Sequence, residues 1–288
     1  MTRLPRLEVA GAKALVTGAA GGMGQHIARG LALRGARVVV ADVRAEELAA
    51  VVTKIRHGVP GAEIAEYVVD LSDVAATDAF SDWIRAEHPD LQVLVNNAGV
   101  ALGGRAREVS REDIDWVLTI NLLTPVRMTH ALLPLLLANG ATSGGHAHIV
   151  TMSSLFGLMA PPGQAAYSTA KFGLRGFSEA LRHELQDEAA PCGVTQVHPG
   201  GIATDIARNA RGGAGTNLAE EQQGREQFDT FLRFPADKAA ELIIEAMIAR
   251  NPRLLIGADA KALSAVTRLL PRRYWSLLGR GMSITPRS

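Results

Sequence analysis

One cysteine, Cys192, among 288 residues excludes an intrachain disulfide, and with it the stapled folds typical of oxidising compartments. Charge of either sign is not in excess, since 30 Lys and Arg stand against 29 Asp and Glu. A nucleic-acid binder carries a basic surplus, so no such partner is expected. Long apolar runs are missing too: the longest, Ala131 to Ala138, is shorter than a membrane span and contains Pro134. The opening Met-Thr-Arg-Leu-Pro-Arg-Leu-Glu has no apolar core of the signal-peptide kind. The expected location is the cytoplasm. Several signatures of hydrolytic and metal chemistry are absent as well. There is no Gly-x-Ser-x-Gly elbow, and His183-Glu184 is followed at 187 by Asp rather than a second His. His146 and His148 have no companion ligands nearby in sequence, so no metal is expected and both read as packing or solvent-side residues. Cys192, in Ala-Pro-Cys-Gly before a strand-like run, reads as structural filler.

What is present is an alternation of short β-branched runs with longer helical patterns. Strands are expected at 14–16, 37–41, 64–69, 91–95, 148–152, 194–197 and 254–256, and helices at 23–33, 45–56, 74–87 and 165–188. Ser110-Arg-Glu-Asp113 resembles a capping box and opens a long helix running towards Asn139. Strands separated by helices mean βαβ units, hence an α/β fold with a doubly wound parallel sheet covered on both faces: a three-layer Rossmann arrangement. No repeat or linker divides the chain, so one domain over 1–288 is expected, with 257–288 as a C-terminal extension. The glycine-rich, polar stretch from Arg208 to Gln227 breaks the rhythm and reads as a mobile flap.

The first strand runs into Thr17-Gly18-Ala-Ala-Gly21-Gly22-Met23-Gly24. Glycines at a strand-to-helix junction let the backbone turn tightly and approach a pyrophosphate, which then sits at the helix N-terminus. No Gly-Lys-Ser/Thr follows, which excludes a phosphate-cleaving loop. Asp42 closes the second strand, where a carboxylate can accept from adenosine ribose hydroxyls and would repel a 2′-phosphate. This favours NAD over NADP, although Arg44 lies two residues on and a guanidinium can pair with that phosphate.

Further motifs complete a pattern. Thr17-Gly18-xxx-Gly22-x-Gly24, Asn96-Asn97-Ala98-Gly99, Ser154, Tyr167-xxx-Lys171 and Pro199-Gly200, in this order, resemble the short-chain dehydrogenase/reductase family from about Lys13 to Ile256. The resemblance implies hydride exchange between a nicotinamide cofactor and an alcohol or carbonyl substrate. Tyr167 and Lys171, four apart on a helix, share a face. A free phenol titrates near ~10, and a neighbouring ammonium together with an oxidised nicotinamide would pull it down, so Tyr167 could exchange the substrate proton. Ser154, thirteen residues before the tyrosine as the family pattern asks, would steady the substrate oxygen, in preference to Ser153. Asn121 fits the family's fourth residue, holding a water in a proton relay with the lysine. Cofactor contacts implied by the resemblance are Thr17, Gly18, Gly22, Met23 and Gly24; Asp42, Asp70 and Leu71; Asn97, Ala98 and Gly99; Tyr167 and Lys171; and Pro199, Gly200, Ile202 and Thr204. The competing reading is a catalytically silent NAD-sensing protein, whose signature would be a damaged Ser/Tyr/Lys set; here the set is intact.

Leu155, Phe156, Leu158, Met159, Pro161 and Pro162 next to the catalytic serine suggest an apolar alcohol rather than a sugar phosphate. The tail bears Arg253, Lys261, Arg268, Arg272, Arg273, Arg280 and Arg287 against Asp259, with Leu263, Val266, Leu269 and Leu270 at helical spacing before Tyr274-Trp275. It suits packing on its own domain or a subunit, and also peripheral contact with an anionic membrane. A homodimer or homotetramer is the family expectation.

Overall fold

The computed structural model describes residues 4–206, 209–212, 215 and 232–279. Seven strands form one parallel sheet: β1 Lys13–Thr17, β2 Arg37–Asp42, β3 Ile64–Val68, β4 Leu91–Asn96, β5 Ala147–Met152, β6 Cys192–Pro199 and β7 Arg253–Ile256. Their order is 3-2-1-4-5-6-7, so the direction of winding reverses between β1 and β4. Side chains alternate along β1: Ala14 and Val16 face one layer and Leu15 the other. The first layer holds α1 Gly22–Leu33 and α2 Ala45–Gly58, with α7 Ala236–Ile248, a helix that the sequence pattern did not mark. The opposite layer holds α3 Val74–Glu87, α5 Thr124–Thr142 and α6 Ala165–Asp187. The expected three-layer α/β architecture is what forms.

Local caps follow the sequence. Ser110 accepts from the Asp113 amide at 3.0 Å and caps α4 Arg111–Leu118. Asp73 caps α3, accepting from Ala75 and Ala76. The long helix expected from Ser110 to Asn139 is interrupted, however: Thr119–Leu123 widens into a π-helical turn before α5 begins. Such bulges occur where a side chain claims backbone partners, and the segment carries Asn121. By length and composition alone, 111–142 could cross a bilayer, yet Met128, Leu132 and Leu136 are fully buried against the sheet.

Buried His148 joins the starts of β5 and β6. His148 Nδ1 accepts from the Arg250 guanidinium at 2.8 Å, which makes Nε2 the protonated nitrogen facing Thr195 Oγ1 at 2.8 Å. Arg250 also donates to the carbonyls of Ala147 and Pro5, clasping the N-terminal segment to the sheet. Cys192 opens β6, buried, with its thiol pushed up to about 12 by burial. It is no nucleophile at neutral pH.

Burial and the adjacent Arg250 hold the His148 pKa well below its ordinary value, and burial lowers His198 to about 4. Both are therefore neutral in the native state. Unfolded imidazoles take up protons below about 6.5, so stability conferred by these groups is present above that pH and is lost as pH falls toward the folded values. Each costs about 1.4 kcal/mol per pH unit across that window. Urea midpoints measured from pH 7 to 5 should decline, and His148→Gln, which keeps an acceptor and a donor, should flatten the decline. An unchanged slope in the variant would show that other groups drive it.

Candidate active site

Turns after β1, β4, β5 and β6 meet at the carboxyl edge of the sheet, beside the reversal between β1 and β4, where ligands bind in open α/β sheets. Gly18 has φ +65°, and a Cβ there would lie 2.7 Å from Ala98 Cα. At Gly24 a Cβ would overlap the Gly18 carbonyl oxygen and come within 2.7 Å of Asn97 Nδ2. Helix α1 thus begins pressed against the β1 turn, with its first amides uncovered by any side-chain cap. The tight turn those glycines permit, with uncapped amides at the start of α1, fits a pyrophosphate. Gly22 faces the Thr204 side chain, and Met23 packs half-buried on the first core layer.

The Asn97 side chain ties the turns after β1 and β4 together. Its Nδ2 donates to the carbonyls of Thr17 (2.9 Å) and Gly18 (3.1 Å). Thr17 Oγ1 in turn accepts from the amides of Asn97 and Ala98, both at 3.1 Å. The ends of β1 and β4 are laced into one unit. Asp42 is buried; Oδ2 accepts from the Ala20 amide at 3.0 Å, and Oδ1 from the Arg44 backbone and Nε at 3.1 and 3.2 Å. Arg44 is therefore held by the acid and lies over Gly21. Asp70 lies two residues past β3 rather than ending it, is exposed, and accepts from Ser72 in a local turn. Leu71 is buried, and its carbonyl accepts from Thr124 Oγ1 at 2.8 Å.

Asn121, Ser154, Tyr167 and Lys171 are brought together. Asn121 is fully buried; its Nδ2 donates to the Val100 carbonyl (2.8 Å) and its Oδ1 accepts from the Val100 amide (3.1 Å). A Cβ on Gly99 would sit 2.8 Å from Asn121 Oδ1 and 3.5 Å from Lys171 Nζ, so all three groups border one small space. Lys171 Nζ donates to the Met152 carbonyl at 3.0 Å and lies 5.5 Å from the Tyr167 ring centre. With little water around it, the ammonium is destabilised and its pKa falls to about 7. For Tyr167, burial raises the pKa and a hydrogen bond with Ser154 opposes the rise. The choice between the serines is decided by direction, because Ser153 Oγ donates away to the Lys171 carbonyl at 3.0 Å. Chemically, the cluster offers a phenol, a lysine that exchanges protons near neutrality and a hydroxyl donor on one face.

Some supporting residues carried no sequence signal. His198 Nδ1 donates to the Ser154 carbonyl at 3.1 Å from β6. The loop Pro199-Gly200-Gly201-Ile202 is held by Asp259, whose Oδ2 accepts from the Gly201 amide at 2.9 Å and crowds Gly200. Asp259 belongs to α8 Ala258–Leu269, which is followed by α9 Tyr274–Leu278. Ile202 is buried in a short ladder with Phe234. Of the flap expected at 208–227, only 209–212 and 215 fall among the described residues. There Arg211–Gly212 pairs with Leu102–Gly103, and Arg211 stacks on Trp116 at 3.6 Å.

Comparison with known proteins agrees with this geometry. Residues 12–214 match the family model described as short chain dehydrogenase. SadH of Mycobacterium tuberculosis, named as an oxidoreductase, is 35% identical over 274 residues, covering 95% of this chain and 96% of that one. A short-chain dehydrogenase/reductase from Burkholderia phymatum solved with NAD superposes with a TM-score of 0.82 at 28% identity, covering 92% of this chain and 95% of that one. A metagenomic short-chain oxidoreductase solved with NADP gives a TM-score of 0.67 at 28% identity, covering 86% and 97%.

Gly24→Ala tests the cradle. Forcing a methyl into the Gly18 carbonyl should cost about 1–3 kcal/mol of stability and weaken NADH binding at least tenfold, measured by denaturant titration and cofactor fluorescence. Undiminished affinity in a folded variant would show that the turn is not the binding cradle.

Proposed function

Since the chain belongs to the short-chain dehydrogenase/reductase family and is a nicotinamide-dependent oxidoreductase, we propose that it interconverts an apolar secondary alcohol and its ketone, using NAD in preference to NADP. The observation that carries the reading is the meeting of Ser154, Tyr167 and Lys171 at the mouth of an apolar cluster. When bound, the nicotinamide supplies the hydride acceptor or donor. Tyr167 exchanges the proton at its phenol oxygen with the substrate hydroxyl. Ser154, whose Oγ accepts from the Phe156 amide at 3.1 Å, is left with its own proton to donate toward the phenol and substrate oxygens. Lys171, at about 7, passes protons onward near neutrality, and Asn121, bonded to the Val100 backbone beside it, would support the water of that relay. An oxidised cofactor would add positive charge against the raised Tyr167 phenol and favour its ionised form.

The NAD preference rests on Asp42. Its buried carboxylate faces the glycine turn where the adenosine ribose would bind, and it already engages Arg44, so the guanidinium that could pair with a 2′-phosphate is committed to the acid. The apolar substrate rests on Leu155, Phe156 and Met159, which pack with Tyr167, Leu263, Tyr274, Trp275 and Leu278. The C-terminal helices therefore wall the substrate side of the site, pinned there by Tyr274, whose hydroxyl accepts from the Ala160 amide at 3.2 Å.

Tyr167→Phe should lower turnover of a secondary alcohol by at least a hundredfold while NADH binding, read by fluorescence, stays within twofold. Full activity in that variant would remove the mechanism. Wild-type binding without turnover across alkanols, sterol-like alcohols and sugars would favour the sensing reading. Asp42→Ser should raise NADP use relative to NAD in the same assay, and an unchanged ratio would show that another group sets the preference.

A further inference from the structure

The C-terminal hairpin has two faces of opposite character. Inward, Leu263, Tyr274, Trp275 and Leu278 pack on the substrate wall. Outward, the turn joining the two helices presents Arg268-Leu269-Leu270-Pro271-Arg272-Arg273, every residue of it exposed. Leu269 at 78% and Leu277 at 59% are the two most exposed large hydrophobic side chains among the described residues. Residues 260–279 hold Lys261, Arg268, Arg272 and Arg273 and no acid. Among the described residues, none of these four forms an ion pair, whereas Arg34, Arg37, Arg85 and Arg175 elsewhere on the surface each do.

Exposed leucines next in sequence to arginines that form no ion pair among the described residues must be matched to an occupant. A second copy meeting this face about a two-fold axis would bring like patches together, setting arginines against arginines around the leucines. Nucleic acid would satisfy the charge and leave the leucines in water. An anionic bilayer satisfies both, since leucines enter the acyl boundary while guanidinium groups remain among the headgroups.

We propose that the turn between α8 and α9 is a membrane-docking surface that seats the protein on bilayers rich in anionic lipid. The opposite face of the same hairpin walls the substrate site, so docking sets that wall against the lipid phase, where apolar alcohols concentrate. The proposal goes beyond the oxidoreductase reading, and its test needs no turnover.

Flotation of the full chain with vesicles of phosphatidylcholine mixed with phosphatidylglycerol, against vesicles of phosphatidylcholine alone, tests it. The expected result is flotation with the anionic vesicles only, reversed by high salt. The triple variant Arg268→Gln/Arg272→Gln/Arg273→Gln should bind those vesicles on the order of a hundredfold more weakly, and Leu269→Gln/Leu277→Gln should also lose them. Melting temperature and NADH affinity should match wild type in both variants. Wild type that stays in solution with both vesicles overturns the proposal, as does flotation of the triple variant at wild-type levels. An oligomer lost in Leu269→Gln/Leu277→Gln, with no flotation of wild type, assigns the face to a second copy and overturns it equally.

Discussion

Seven strands that run the same way place all their carboxyl ends on one edge, and every group of the site depends on that alignment. In a parallel sheet each crossover returns the chain to the same starting side, so turns far apart in sequence accumulate at a single rim. The turns after β1 and β4 are then near enough for Thr17 and Asn97 to exchange hydrogen bonds across 80 residues. β5 delivers Ser154, and β6 delivers the loop that Asp259 holds. Moving one strand in register would separate the phenol, the hydroxyl and the glycine cradle together.

Burial is the second determinant. Lys171 and Asn121 have almost no exposure, and each spends its polar atoms on backbone carbonyls or amides beside the site. Desolvation then does what pairing alone would not, bringing a lysine to about 7 while lifting the neighbouring phenol. The π-helical turn belongs to the same economy of space: it lets Asn121 reach the Val100 backbone without breaking the helix that covers β4 and β5. A regular helix would advance the asparagine by a different angle.

The C-terminal extension is joined to both halves of the site. Asp259 at its start is bonded to the glycine loop after β6, and Tyr274 near its end to the segment after Ser154. A displacement of its helices would therefore be felt by the glycine loop after β6 and by the segment that follows Ser154. Its inner and outer faces differ because the inner face meets a preformed apolar surface and the outer one does not.

Periodicity, glycine placement and the four-residue spacing of Tyr167 and Lys171 are local properties, so the strands, most helices, the glycine turn and the shared face of Tyr167 and Lys171 were legible in the sequence by itself. α7 was missed although Ala239, Ala240, Ile243, Ile244 and Met247 recur at helical spacing between Pro235 and Pro252, and the interruption at Asn121 because a π-turn and an α-helix share one hydrophobic pattern. Contacts such as His198 with Ser154 or Asp259 with Gly201 join residues 44 and 58 apart, and no spacing rule announces them. The spacing to Tyr167 already favoured Ser154 over Ser153, and the fold adds the reason, since Ser153 Oγ is turned to the Lys171 carbonyl. The shift of Tyr167 likewise came from the fold, since desolvation is a property of what surrounds a group and composition does not record its surroundings.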